Sequence, residues 1–254
     1  MLKKIFKLFN LAKYFIYKLN IINVQFYIYN VFYQIQIVGP GSLSIIIISS
    51  FFIGLVFSLQ IIKEFLYLNA VNLIGSVLCI SLLRELSPVF TSIILIGKIG
   101  SYFTAELATM KVTEQIDILY ILKINPINYL ILPRIIAVIC MLPILNLFSF
   151  ITSLFSSAFI CFTLYGIDPK IFFNSVFCTL SITDILKSCY KTVIFGFFIS
   201  LISCIFGLRT KGGSKGVGLS TTSSVVTSLL VLFILDFILS YYMFDKLDSS
   251  LKIL

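Results

Sequence analysis

The sequence predicts an all-α, polytopic membrane protein, and three observations predict it. Of 254 residues, 59% are hydrophobic and 11% charged, with a mean hydropathy of +1.11, against about 45–50% apolar and about 25% charged in soluble domains. The apolar residues are gathered into uncharged runs, and each crossing needs about 20 of them. The charges between those runs concentrate in a few polar segments, chiefly 98–134 and 209–215. Inside a bilayer the backbone must satisfy its own hydrogen bonds, and a helix does so within one segment.

The first element is basic and amphipathic. At 100° per residue, Lys3, Lys7, Asn10, Tyr14 and Lys18 share one face, while Ile5, Leu8, Phe9, Ala12, Phe15, Ile16 and Leu19 share the other. Lysines at 7, 13 and 18 interrupt any signal-peptide core, so an interfacial helix is expected within an N-terminal region of residues 1–38. The first crossing follows Gly39-Pro40-Gly41. Residues 65–97 are apolar except for Arg84-Glu85 and too long for one straight crossing, so a tilt, a break near Pro88 or an interfacial part is expected. The polar stretch 98–134 is expected in water or at its edge. Within it, read as one helix, Glu106, Met110, Thr113, Glu114 and Asp117 share a face, whose plainest explanation is contact with water. The third crossing lies in 135–167, with Pro143 a candidate kink. A loop with a short interfacial helix fills 168–190, the fourth crossing runs from about Lys191 to Leu208, and a glycine-rich loop occupies about 209–222. The last crossing spans about Val225 to Phe244.

With five crossings, the N-terminus, the 98–134 loop and the 209–215 stretch lie on one side and carry twelve cations against five opposite. The positive-inside rule makes that side cytosolic or stromal. The net charge of +9 therefore points to cytosolic loops and anionic headgroups rather than nucleic acid. Without histidine there is no Ser-His-Asp triad, histidine-ligated zinc or histidine proton relay. The six cysteines form no C-x-x-C pair and are read as buried reduced thiols, and no metal site is expected.

Four charges fall within or beside crossings: Arg84, Glu85, Lys191 and Asp236. Each costs about 2.5–3.5 kcal/mol at mid-bilayer on insertion scales, so each needs a partner or water. Either they form an ion-pair network that locks helix packing, or Lys191 simply snorkels to the interface, or they line a cavity whose charges engage a polar headgroup or change partners as the helices move. The glycine-rich stretch is no phosphate loop, because Gly218 is followed by Leu219 where G-x-x-x-x-G-K-[ST] needs lysine. Energy from ATP would have to come through a separate subunit, and no cofactor of the chain's own is expected.

The run RELSPVFTSIILIGKIGSYFTAELATMKVTEQIDILYILKINPINYLILPRIIA, from Arg84 to Ala137, together with GLRTKGGSKGVGLSTTSSVV and the following LDF, resembles the MlaE (YrbE-like) family of ABC-transporter permeases. The similarity covers roughly residues 40–244, within a permease domain of 39–254. It implies a homodimer with cytosolic ABC ATPase subunits and an MCE-type substrate-binding protein on the opposite side, moving phospholipids or related membrane lipids. The family's ATPase-coupling helix falls on Glu106, Met110, Lys111, Thr113, Glu114 and Asp117, and its membrane charges on Arg84, Glu85, Lys191 and Asp236. Two departures stand out. Ser87 replaces a usual glycine, and Lys98 replaces an arginine, so a bidentate contact there is lost. Abundant Phe, Ile, Lys and Tyr with no Trp suggests an AT-rich genome, which favours the plastid inner envelope over a bacterial inner membrane. The competing readings are an ion-coupled secondary transporter or channel, in which Glu85 and Asp236 titrate, and a structural membrane subunit.

Overall fold

The computed structural model describes residues 24–244, so the expected interfacial helix near the N-terminus lies outside the described residues. The elements are helical throughout: α1 Val24–Tyr67, a 3-10 turn Val71–Leu73, α2 Ile74–Ser81, α3 Ser87–Leu95, α4 Ser101–Val112, α5 Gln115–Ile121, α6 Leu132–Thr163, α7 Pro169–Thr179, α8 Ile182–Leu208 and α9 Gly213–Phe244. Wide π-helical turns, Leu82–Leu86, Ile96–Gly100 and Ile127–Ile131, join α2 to α3, α3 to α4 and lead into α6. Among the described residues, five stretches are long and apolar enough to cross a membrane: Tyr29–Tyr67, Val71–Val112, Ile127–Thr163, Ile182–Leu208 and Gly213–Met243. That is the expected number of crossings.

Several boundaries differ from the sequence reading. Helix α1 does not start after Gly39-Pro40-Gly41 but runs through it, since proline and glycine are tolerated in membrane helices. The break in the next segment falls at Leu68–Ala70, where Asn69 adopts φ 56°, and not at Pro88. Proline has no N–H and its ring crowds the carbonyl four residues back. The wide turn Leu82–Leu86 just ahead of Pro88 accommodates both effects without ending the helix. The stretch 98–134 is not wholly aqueous, because α4 buries Phe103, Thr104, Leu107 and Ala108 and Arg134 is 2% exposed. The expected loop over 168–190 ends early: α8 begins at Ile182, so Lys191 stands inside it rather than at its edge. The glycine-rich loop over 209–222 also shrinks, because α9 starts at Gly213.

The chain divides into two compact units. One comprises the described residues up to Val38, Leu95–Ile139 and Gly196–Val231. Its apolar cluster gathers Leu107, Ile131, Ile135 and Cys204 with Met110, Ile127 and Leu130 beside them. Helices α4 and α8 meet closely here, since a Cβ on Gly207 would stand 2.6 Å from Leu107 Cβ and 3.1 Å from the Thr104 carbonyl oxygen. Thr104 Oγ1 seals the contact by donating to Ser203 O at 3.1 Å and to Ser224 Oγ at 2.9 Å.

The other unit comprises Gly39–Ile94, Cys140–Phe195 and the described residues from Leu232. Along α1 every fourth residue, Ser42, Ile46, Ser50, Gly54, Ser58 and Ile62, is buried. Small residues allow membrane helices to approach closely. A Cβ on Gly54 would meet Ser153 O at 2.4 Å and Ser153 Cα at 2.8 Å, and Ser50 Oγ and Thr152 Oγ1 share a hydrogen bond. Helix α7, started by Pro169 at its first position, inserts Phe172 and Val176 into the apolar cluster around Ile74, Leu78 and Cys161.

Candidate intramembrane charge site and coupling loop

Pro88 sets up the charge site. Its missing N–H frees the carbonyl of Arg84, and Lys191 from α8 takes it, with Nζ donating to Arg84 O at 3.2 Å. The same ammonium donates to Glu85 Oε2 and to Ser240 Oγ on α9, both at 2.9 Å. The Ser240 hydroxyl in turn donates to Glu85 Oε2 at 3.1 Å. Asp236, one turn from Ser240, brings Oδ1 to 2.6 Å from Nζ. That oxygen is buried and off the direction of a well-aligned hydrogen bond, so the contact is an ion pair at short range. Lys191 is fully buried, so the snorkelling alternative is ruled out by its geometry.

Three of the four predicted membrane charges thus converge, and the fourth does not. Arg84 Nη2 lies 3.1 and 3.0 Å from the two carboxylate oxygens of Asp184, which Ser181 Oγ steadies at 2.8 Å. Sequence reasoning missed Asp184 by assigning it to a loop. A signal existed, since Ser181-Ile182-Thr183-Asp184 before an apolar run is an N-terminal capping pattern, and the Asp184 N–H does donate to Ser181 Oγ at 3.2 Å. Ser87 donates to Asn146 Oδ1 at 2.7 Å, and Asn146 Nδ2 donates to Ser188 Oγ at 2.9 Å. Ser87 therefore ties α3 to α6 and α8 one turn from Lys191. Beside it, Ser50, Ile53, Leu86, Ser87, Phe90 and Ser149 line a small cleft.

The second predicted element is not a single helix over 106–117. Helix α4 ends at Val112, Thr113 leaves helical geometry, and Glu114 turns left-handed at φ 59° before α5 starts. The Thr113 hydroxyl bonds back to Thr109 O at 2.9 Å, a side-chain contact that competes with helix continuation. The elbow separates the expected acidic face. Glu106 turns to Arg134, with Oε2 at 2.8 Å from Nη2, and the guanidinium lies 5.5 Å from the centre of the Phe103 ring. Asp117 folds back on Lys111 at 2.8 Å. Thr113 and Glu114 remain exposed, as do Ile118, Tyr120, Ile121 and Leu122 on and after α5. Met110 packs inward. The Glu106–Arg134 pair was also missed in the sequence, where Arg134 reads as one more loop charge.

The glycine-rich turn serves geometry. Gly212 and Gly213 have φ 92° and 66°, and a Cβ on Gly216 would fall 1.9 Å from Lys211 O. Among the described residues no group of three or more His, Cys, Asp or Glu is placed to hold a metal.

The family model for the MlaE permease matches residues 31–242. A probable ABC transporter permease protein, ycf63, of Pyropia yezoensis is 52% identical over 87% of this chain and 84% of its own length. The probable ABC transporter permease protein slr1045 of Synechocystis is 47% identical over 85% and 82%. The chloroplastic protein Trigalactosyldiacylglycerol 1 of Arabidopsis thaliana is 45% identical over 88% of this chain and 64% of its own. With that coverage, and with five spanning helices, the chain belongs to the MlaE permease family and is an integral membrane permease subunit of the ABC-transporter type.

Proposed function

We propose that this chain forms the lipid pathway of an ABC-type lipid transporter in a plastid envelope or bacterial inner membrane, working as a homodimer. ATP is bound and hydrolysed by separate ATPase subunits, and an MCE-type protein exchanges lipid on the opposite side. The observation that carries the reading is the fully buried Lys191, bound to Glu85 and Asp236 from two other helical segments. A cation sealed among apolar spans is expensive, and its two carboxylates remain open to a polar headgroup on a surface otherwise fit for acyl chains. Membership of the MlaE family and a relative named for a galactolipid support lipid as cargo. The elbow at Thr113–Glu114, with Ile118, Tyr120 and Ile121 exposed, supports an ATPase-docking element, since an exposed apolar cluster at a loop tip marks an interaction site. Arg84, Glu85, Lys191 and Asp236 are the pathway charges in this reading, and Arg84 acts together with Asp184.

Affinity purification in mild detergent, with mass spectrometry of associated proteins and lipids, tests it. A nucleotide-binding protein, an MCE-domain protein and bound lipid should accompany the chain, and the complex should move lipid between vesicles on ATP addition. A chain that purifies alone and supports no ATP-dependent transfer rejects the reading.

A further inference from the structure

The charge cluster draws on the turn that carries Arg84 and Glu85, on α8 and on α9. Helix α6 gives it no charge, yet Asn146 of α6, 0% exposed, stands between the first two of these segments. Its Oδ1 and its own carbonyl oxygen both accept from Ser87 Oγ, at 2.7 and 3.0 Å. Its Nδ2 donates to Ser188 Oγ at 2.9 Å. Ser87 follows Glu85 by two residues, and Ser188 precedes Lys191 by three on the buried face of α8. The bridge Ser87–Asn146–Ser188 therefore spans the same gap as the Glu85–Lys191 pair, about one turn away.

The gap is held to a narrow tolerance. Lys191 Nζ reaches Arg84 O at 3.2 Å, the far limit of an ordinary N–H···O bond, so a slide of α8 by a fraction of an ångström forfeits that contact. Interhelical hydrogen bonds in membranes add little stability on average, so leucine would fill this apolar position about as well if packing were the whole task. What an amide adds is direction, since it accepts on one side and donates on the other along a fixed plane. We propose that Asn146 is a positioning residue for the intramembrane charge site: through Ser87 and Ser188 it sets the register of α8 against the Leu82–Leu86 turn, and so keeps Lys191 on Arg84 O and Glu85. The further step, that this register is needed to move lipid, rests on the transport reading above.

The test has one arm for each step. In the intact complex, with this chain labelled with 15N-lysine, a sealed ammonium exchanges its protons slowly and gives its own Nζ resonance, identified by its loss in Lys191→Met. Asn146→Leu should shift or broaden that resonance. In vesicles made of lipid extracted from the host membrane, the same variant should lower the lipid moved per ATP hydrolysed roughly tenfold. Ser188→Ala cuts one side of the bridge, should act in the same direction, and serves if Asn146→Leu fails to insert. Ser153→Ala removes another buried hydroxyl of α6, one that donates to Phe150 O, and should change neither reading. A Lys191 resonance unmoved by Asn146→Leu and Ser188→Ala overturns the positioning role, whatever transport does. An equal shift in Ser153→Ala also overturns it, because general loosening of α6 then explains the effect. A moved resonance with lipid per ATP unchanged overturns the link to transport. An unaltered complex that hydrolyses ATP and moves no lipid overturns the transport reading alone, and the resonance still decides the positioning.

Discussion

Burying a lysine is tolerable only when its charge and its three donors are all answered, and Lys191 meets both conditions with groups from two other segments: the Arg84 carbonyl and Glu85 from the turn before α3, and Ser240 and Asp236 from α9. Removing one partner of a buried ion pair costs about 3–5 kcal/mol, because the remaining charge stays behind. Lys191→Met should therefore lower the thermal midpoint in detergent by several degrees or more, since it leaves Glu85 and Asp236 repelling across the vacated space. Adding Glu85→Gln to Lys191→Met should recover part of the loss, because one of the two stranded charges is then gone. Additive losses in that double-mutant cycle would mean the two residues do not interact. The freed Arg84 carbonyl gives the cluster its backbone register: it exists because Pro88 has no N–H to offer it. The Arg84 side chain, fixed on Asp184 at 3.0 Å, pairs outside the cluster that its own carbonyl joins.

Among elements, the elbow between α4 and α5 divides labour that a single helix would have merged. Glu106 and Arg134 join α4 to the start of α6, the two helices from which the 113–131 connection springs, whereas Glu114 sits exposed at the bend. Two substitutions should then separate docking from transmission. Glu114→Lys should weaken co-purification of the ATPase while the permease still inserts. Arg134→Gln should leave that association intact but lower the lipid moved per ATP hydrolysed, with Arg134→Lys restoring part of it through the retained charge. Close helix approach makes a third expectation: Gly54→Val drives a branched side chain into the Ser153 backbone, 2.4 Å from its carbonyl oxygen, and should cost about 1–3 kcal/mol, read as a lower unfolding midpoint without loss of the ion-pair cluster. The crossings were legible in the sequence because uncharged runs announce them, and the need of the membrane charges for partners was legible because charge in lipid demands an opposite, whereas which carboxylate each cation takes was not. The elbow was not, since left-handed Glu114 breaks no rule of periodicity and glutamate is no expected turn residue there. Asp184 and Arg134 escaped for a related reason: their burial depends on where helices begin, and polar flanks made both look like loop charges.

At the scale of the whole molecule, five spanning stretches require alternate connections to face opposite sides. Helix α5 and the turn at Arg209–Gly212 then share one face, and α7 with the break at Leu68–Ala70 takes the other. Charge agrees with this, since Lys111, Lys123, Arg209, Lys211 and Lys215 cluster on the first set, against Lys63, Lys170 and Lys187 near the second. The protein carries its own probe of the arrangement. Cys178 is exposed on α7, whereas Cys79, Cys161 and Cys204 are buried and Cys140 and the half-buried Cys189 lie in spanning stretches, out of reach of a charged reagent. A membrane-impermeant maleimide applied from the periplasmic or intermembrane side should therefore label Cys178 in intact membranes. In a variant with Cys178→Ser and Ile121→Cys, whose new thiol replaces a side chain 79% exposed just beyond the elbow, labelling should require access from the cytosolic or stromal side. Labelling of both positions from one side would break the alternation, and with it the placement of the proposed docking elbow on the face where ATP is available.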